Sequence, residues 1–153
     1  MEEIYETQET ALATTDGATL SFTDSILVES KEAGYFSTFK VETMEDKKRL
    51  YSARNSNELL RDHMGEVINA VDFVIDSQTI NDTEYGAKVV PCLHIIDEDG
   101  VAYQSASSGV VKTACDILST FGMPDTWGGA LPIVCKETTT NNGFRYKYLD
   151  VTD

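Results

Sequence analysis

The sequence predicts a mainly β fold: an OB-like five-stranded barrel with one helix between its third and fourth strands, preceded by a strand–helix extension. Three observations carry that expectation. From residue 66 onward, β-branched apolar runs dominate; they fall in the order three strands, one amphipathic helix, two strands; and tight-turn signals separate them. That order is the connectivity of an OB barrel, in which the helix plugs one end. A Greek-key sandwich, or an α+β sheet carrying one packed helix, would produce a similar string.

The elements follow in chain order. Residues 35–42 are aromatic and β-branched and read as a strand. Thr43 stands three residues before Asp46, a capping-box spacing, so a short helix follows through Lys47 to Arg54, with Asn55 placed to stop it. A second helical turn is expected at 57–63, closed by Gly65. Residues 66–75 and 88–96 read as strands joined by a loop at 81–86, and the second turns through Asp97-Glu98-Asp99-Gly100 into a third at 101–105. Ser107 or Ser108 can cap a helix in which Val110, Val111, Ala114, Ile117, Leu118 and Phe121 recur at three- and four-residue steps; Gly122 and Pro124 end it. The last two strands, 131–136 and 144–149, flank a loop containing Asn142-Gly143, a favoured hairpin dipeptide.

Length fits one core rather than two. Residues 1–34 hold few bulky apolar groups and are expected to form an acidic, loosely packed arm, leaving residues 35–153 as the domain, with its extension at 35–65 and its barrel at 66–153. Of the net charge of −14, half lies in residues 1–32, which hold eight acids and one base. Phosphate binding gains affinity from Lys and Arg, so this charge opposes a nucleic-acid reading unless a local basic face exists. No stretch is apolar enough for a membrane span, and Met1-Glu2-Glu3 is unlike a secretory leader. Cys92, Cys115 and Cys135 are widely spaced among apolar neighbours, which suits buried thiols in a reducing, cytoplasmic compartment.

Single-strand binders combine a positive groove with aromatic faces, each stacked base contributing about 1–3 kcal/mol. The strongest local match is Phe144-Arg145-Tyr146-Lys147-Tyr148, where strand alternation puts three aromatics on one face and two cations on the other. Core aromatics with solvated cations would give the same pattern. Tyr103 lies on the third strand, where an OB barrel binds, but equally suits cross-strand packing. Trp127, the sole tryptophan, reads as a plug beneath the helix or as a stacking platform. Lys47-Lys48-Arg49 fans over about 200° of a helix, and Lys88, Arg54 and Arg61 are isolated cations. His63 and His94 lack metal-ligand spacing, and His94 reads as a packed histidine. The 97–100 segment lacks the distal ligands of a calcium loop, and no phosphate-cradling glycine loop or nucleophile elbow is present. An enzyme, a cofactor and a metal are therefore not expected.

Met44-Glu45-Asp46-Lys47-Lys48, Gly65-Glu66-Val67-Ile68, the run from Ile96 to Ser107, and Phe121-Gly122-Met123-Pro124-Asp125-Thr126-Trp127 carry a resemblance across residues 36–150. The chain resembles the single-stranded DNA-binding proteins of tailed phages and mobile elements of Gram-positive bacteria. The resemblance implies an OB fold, accessory work in replication or recombination, and binding of displaced single strands in the host cytoplasm, with replication or recombination proteins as further partners. Proteins of this type more often carry their acidity in a C-terminal tail, whereas here it is N-terminal. The expected binding residues are Tyr103, Trp127, Phe144, Arg145, Tyr146, Lys147, Tyr148, Lys88, Lys47 and Lys48. The alternative is an acidic protein-interaction or structural module, including a DNA mimic, built on the same fold.

Overall fold

Seven strands form one curled half-barrel sheet in a computed structural model, which describes residues 21–82, 84 and 86–153. The elements are α1 (Phe22–Glu32), β1 (Tyr35–Ser37), α2 (Met44–Arg54), β2 (Glu58–Leu59), a 3-10 turn (Leu60–His63), β3 (Val67–Asp82), β4 (Gly86–Asp97), β5 (Ala102–Ser105), α3 (Ser108–Phe121), β6 (Leu131–Thr139) and β7 (Arg145–Val151). The ladder runs β2-β5-β4-β3-β6-β7, and β1 joins beside β3. The mainly β class stands, with corrections to the detail. The five expected strands are joined by two short ones from the segment expected to be an extension. Among the described residues the ladder stays open, ending at β2 and β7 rather than closing.

Alternation along the strands gives the sheet two working faces. On the core face, Phe73, Ile75, Leu93, Ile95 and Ile133 pack against Val110, Ala114, Ile117 and Leu118 of α3. On the opposite face, Val74, Ile96 and Ala102 form a smaller cluster with Leu50 and Ala53 of α2, with Tyr35, Phe39, Val41 and Val71 at the margin. The register shifts between Ala70 and Asp72, and this bulge at Val71 changes the phase of alternation, so that Ile68 and Ala70 before it and Phe73 and Ile75 after it all face the main core.

The arm expected at residues 1–34 needs correcting in its second half. Ser21 caps α1 by accepting from the Asp24 N–H at 3.0 Å, and α1 buries Ile26 in the main core. One deeply buried apolar side chain in eleven residues is too faint a stripe to read from sequence. Residues 1–20 lie outside the described residues. The β1 strand stops at Ser37, five residues short of expectation, and the helical turn expected at 57–63 begins instead as β2, paired parallel to β5. In contrast β3 and β4 run past their expected ends to residues 82 and 86, forming a long hairpin.

α3 seals the open side. The β7 edge would leave unpaired N–H groups; the Leu149 N–H donates instead to Thr113 Oγ1 of α3 at 2.9 Å. So close an approach requires Gly109, because a Cβ there would overlap the Lys147 carbonyl oxygen and come 2.6 Å from the Tyr146 ring. Replacing Gly109 with alanine is therefore expected to lower stability by about 1–3 kcal/mol through overpacking, measured by urea denaturation. The same change at exposed Ser108 should cost only a few tenths, roughly the size of ordinary surface substitutions.

Candidate nucleic-acid interface

α2 is polar almost throughout and reaches the sheet through charge. Its start is the expected capping box: Thr43 Oγ1 accepts from the Asp46 N–H at 3.1 Å, and Asp46 Oδ2 accepts from the Thr43 N–H at 3.0 Å. Those backbone hydrogen bonds hold the Asp46 carboxyl below its ordinary range. Arg49 donates to Asp72 at 2.6 Å and lies 4.3 Å from the centre of the Phe39 ring; Arg54 donates through Nε to Asp76 at 3.0 Å. Asp72 and Asp76 share one face of β3 by alternation, so two arginines of one helix are fastened to one strand.

What remains of α2 faces outward. Lys47, Tyr51 and Arg54 stand at i, i+4 and i+7, one stripe of a helix. Beside this stripe runs a groove of about 520 Å³ between α2 and β3, with Asn55 and Gln78 also on its walls. Tyr51 is 72% exposed, and Lys47 and Lys48 are exposed with no ion pair among the described residues. Lys88 extends the same sheet face: the register sets Val90 opposite Gln78 and Lys88 opposite Ile80. Exposed cations beside an unobstructed aromatic ring are the components of a single-strand groove.

A second patch lies on β7. Tyr146 and Tyr148 project from one side with ring centroids 6.0 Å apart and planes 16° from parallel. Phe144 is 70% exposed in the turn before them, held by the Thr140 N–H bond to the Phe144 carbonyl at 2.8 Å. Arg145 is exposed. Beside Tyr146 opens an apolar hollow of about 530 Å³ floored by Leu27, Pro91 and Val111. The cations here are mostly engaged: Lys112 with Asp116 at 3.2 Å, Lys136 with Asp150 at 2.7 Å, and Lys147 with Glu137 at 3.8 Å. The Lys136 contact also holds the Asp150 carboxyl below its ordinary range.

Two of the expected stacking residues join neither patch. Tyr103 packs against the core, donates its hydroxyl to Asp97 at 3.1 Å and meets His63 edge-on at 4.9 Å; desolvation, then the Asp97 bond, pushes its phenol up. Trp127 donates to the Gly122 carbonyl at 2.9 Å and sets its ring edge-on to Phe73 at 6.1 Å, beneath the end of α3. Of the residues on the groove walls, sequence reasoning singled out Lys47, named Arg54 only as an isolated cation, and missed Tyr51, Asn55 and Gln78; Lys48 and Lys88, also singled out, stand outside those walls. The helical stripe is the signal that would have joined them.

Beneath α2, Asp76, Cys92 and His94 are buried and each bring one potential ligand atom to within 4.8 Å of the others. Both Asp76 oxygens are already accepting, Oδ2 from Arg54 and Oδ1 from His94 Nε2 at 2.9 Å. Burial pushes the Cys92 thiol up to about 12, with the Asp76 charge adding to the effect. The cluster is thus a charge-balanced anchor, with a neutral thiol beside it. No helix among the described residues is long and apolar enough to cross a membrane.

A family model described as Phage Single-stranded DNA-binding protein matches residues 28–152 of this chain. No curated protein and no solved structure matches it.

His63 ties the β2 edge to the sheet, with Nε2 at 2.9 Å from Glu58 and Nδ1 at 3.0 Å from Glu66. These bonds, to Glu66 first and then Glu58, raise its pKa. A raised cationic group stabilises the fold fully below its unfolded value, near 6.5, and the contribution fades as pH rises through the higher folded value. The melting-temperature deficit of His63→Gln relative to wild type should therefore be largest at pH 6 and shrink toward pH 9. A pH-independent deficit would mean the ring serves only as packing for Tyr103. Both carboxylates are exposed, so the effect is expected to be small.

Proposed function

The chain belongs to the phage single-stranded DNA-binding protein family, and we propose that it binds single-stranded DNA with little regard to sequence, by aromatic stacking and backbone electrostatics, in support of phage replication or recombination. Members of this family are binding proteins rather than enzymes. The observation that carries the mechanism is the Lys47–Tyr51–Arg54 stripe, which lines a groove where the neighbouring cations Lys47 and Lys48 are unpaired among the described residues.

We read the half-barrel as an OB-type sheet in which α3 takes the place of strand-to-strand closure. In that fold the face of the second and third strands and the loops at one end take the ligand. Here those strands correspond to β4 and β5, and α2 lies across their outer face, burying Ile96 and Ala102. The binding groups are accordingly carried on α2 itself and on the projecting β3–β4 hairpin, where Lys88 stands. Phe144, Arg145, Tyr146 and Tyr148 offer a second, separate stacking surface on β7, beside the hollow between α1 and α3. Phosphates pass along Lys47, Lys48 and Lys88, and bases stack on Tyr51.

Overall acidity favours a different reading, an interaction module or DNA mimic, and one titration separates the two. Labelled oligo(dT) followed by anisotropy at two salt concentrations should show saturable binding that weakens as salt rises. Tyr51→Ala should reduce affinity by roughly five- to a hundredfold, the cost of removing one stack, with an unchanged melting temperature because the ring is exposed. Lys47→Glu with Lys48→Glu should weaken binding further and flatten the salt dependence by about 0.7 in log–log slope for each phosphate no longer neutralised. Absence of wild-type binding at low salt would transfer support to the acidic interaction module.

A further inference from the structure

Arg54 stands at the end of α2 with its side chain 35% exposed, and only its Nε is engaged, by Asp76 Oδ2 at 3.0 Å. Neither Nη group has a hydrogen-bond partner among the described residues, although the residue lines the groove and its guanidinium lies 5.7 Å from the Tyr35 ring centre. The carboxylate beneath it is itself fixed. Asp76 is 3% exposed, and its other oxygen accepts from His94 Nε2 at 2.9 Å. A carboxylate can only accept, so Nε2 carries the proton in that bond. His94 is fully buried and its Nδ1 has no partner among the described residues. An imidazole with one nitrogen bare is a poor space-filler; its contribution here is a rigid donor that locks the carboxylate in place.

We infer that Arg54 is a phosphate-binding residue of the groove and that the buried Asp76–His94 pair is the device that orients it, a reading that rests on the single-stranded DNA function proposed above. Holding a guanidinium by Nε alone leaves its two-pronged Nη end for a phosphodiester, which that planar fork matches in a way an ammonium does not. Lys47, on the same stripe, supplies a second positive charge, and the exposed Tyr51 ring stands between the two. Restraint at Nε removes side-chain freedom before DNA arrives, so less ordering is required on binding. Asp76 and His94 are positioning residues; the phosphate contact is made by Arg54.

The test is oligo(dT) affinity as a function of salt for wild type, Arg54→Gln, Arg54→Lys and Asp76→Asn, each checked for an intact melting transition. Arg54→Gln should weaken binding about tenfold and lower the log–log salt slope by about 0.7, one phosphate on a single strand. Arg54→Lys should keep the slope yet bind more weakly, since the charge remains and the fork is gone. Asp76→Asn gives the sharpest contrast. It removes a negative charge from beneath the DNA, so simple electrostatics demands tighter binding, whereas orientation of Arg54 demands weaker binding. Tighter binding by Asp76→Asn, or wild-type affinity and slope in Arg54→Gln, would overturn the inference while leaving DNA binding intact. Should Asp76→Asn fail to fold, Arg54→Lys decides: wild-type affinity there would remove the oriented fork. Wild type that fails to bind oligo(dT) would overturn both the function and the inference, a result distinguishable at the first titration.

Discussion

The arrangement of the α2 face depends on a carboxylate that is almost wholly buried. A charge out of water is costly unless every lone pair is answered, and Asp76 is answered from two directions, by Arg54 of α2 and His94 of β4. Burial alone would push its carboxyl up; the hydrogen bond from His94, then that from Arg54 with the guanidinium charge, more than reverse that and hold it below the ordinary range. The consequence is geometric. Leu50 and Ala53 are the only α2 side chains in the second core cluster, too narrow a stripe to fix the roll of a helix on a sheet. The Arg49–Asp72 and Arg54–Asp76 pairs fix it instead, and with the roll fixed, Lys47 and Tyr51 can point only to the groove and the solvent beyond.

The core face solves a different problem, a half-barrel with an unclosed side. Strand-to-strand closure would have occupied the β7 edge, whereas α3 fills the gap and satisfies one edge N–H through Thr113. This substitution accounts for the geometry of the second aromatic patch. Gly109 lets the helix lie against the β7 backbone, and Tyr146 closes over that contact while stacking alongside Tyr148. The core face therefore carries most of the apolar burial, and the opposite face is left polar enough to present charge.

How far the fold was legible follows from how each element is stabilised. Elements specified locally were readable: the Thr43–Asp46 capping box, the apolar stripe of α3, the turn in which Asp97 Oδ1 accepts from the N–H groups of Asp99 and Val101, and the Gly143 turn. Elements specified by distant partners were not. α1 is held by Ile26 against strands far along the chain, and β2 is two residues long and exists because β5 lies beside it. Tyr103 and Trp127 were ambiguous for the same reason, since the groups that engage them, Asp97, His63, Phe73 and the Gly122 carbonyl, are brought together only by folding. The groove lay between these cases. Its stripe is local, but the partners that hold Arg54 while leaving Lys47 free sit on β3 and β4.

Net charge was the strongest sequence argument against a nucleic-acid surface, and the structure shows why a sum is the wrong quantity. Field at an exposed site is screened over about 8 Å at physiological ionic strength, so a ligand senses the pairing state of nearby cations more than the total of −14. On the β6–β7 side, Lys136 and Lys147 each face a carboxylate across the ladder, as Asp150 and Glu137, and their fields largely cancel. On α2 the acids are placed differently. Glu45 and Asp46 lie in the first turn, where the helix dipole favours them, and Asp72 and Asp76 lie beneath the helix, bonded to arginines. The acids beneath the helix, Asp72 and Asp76, are thus bonded to arginines, while Lys47 and Lys48 have no carboxylate partner among the described residues.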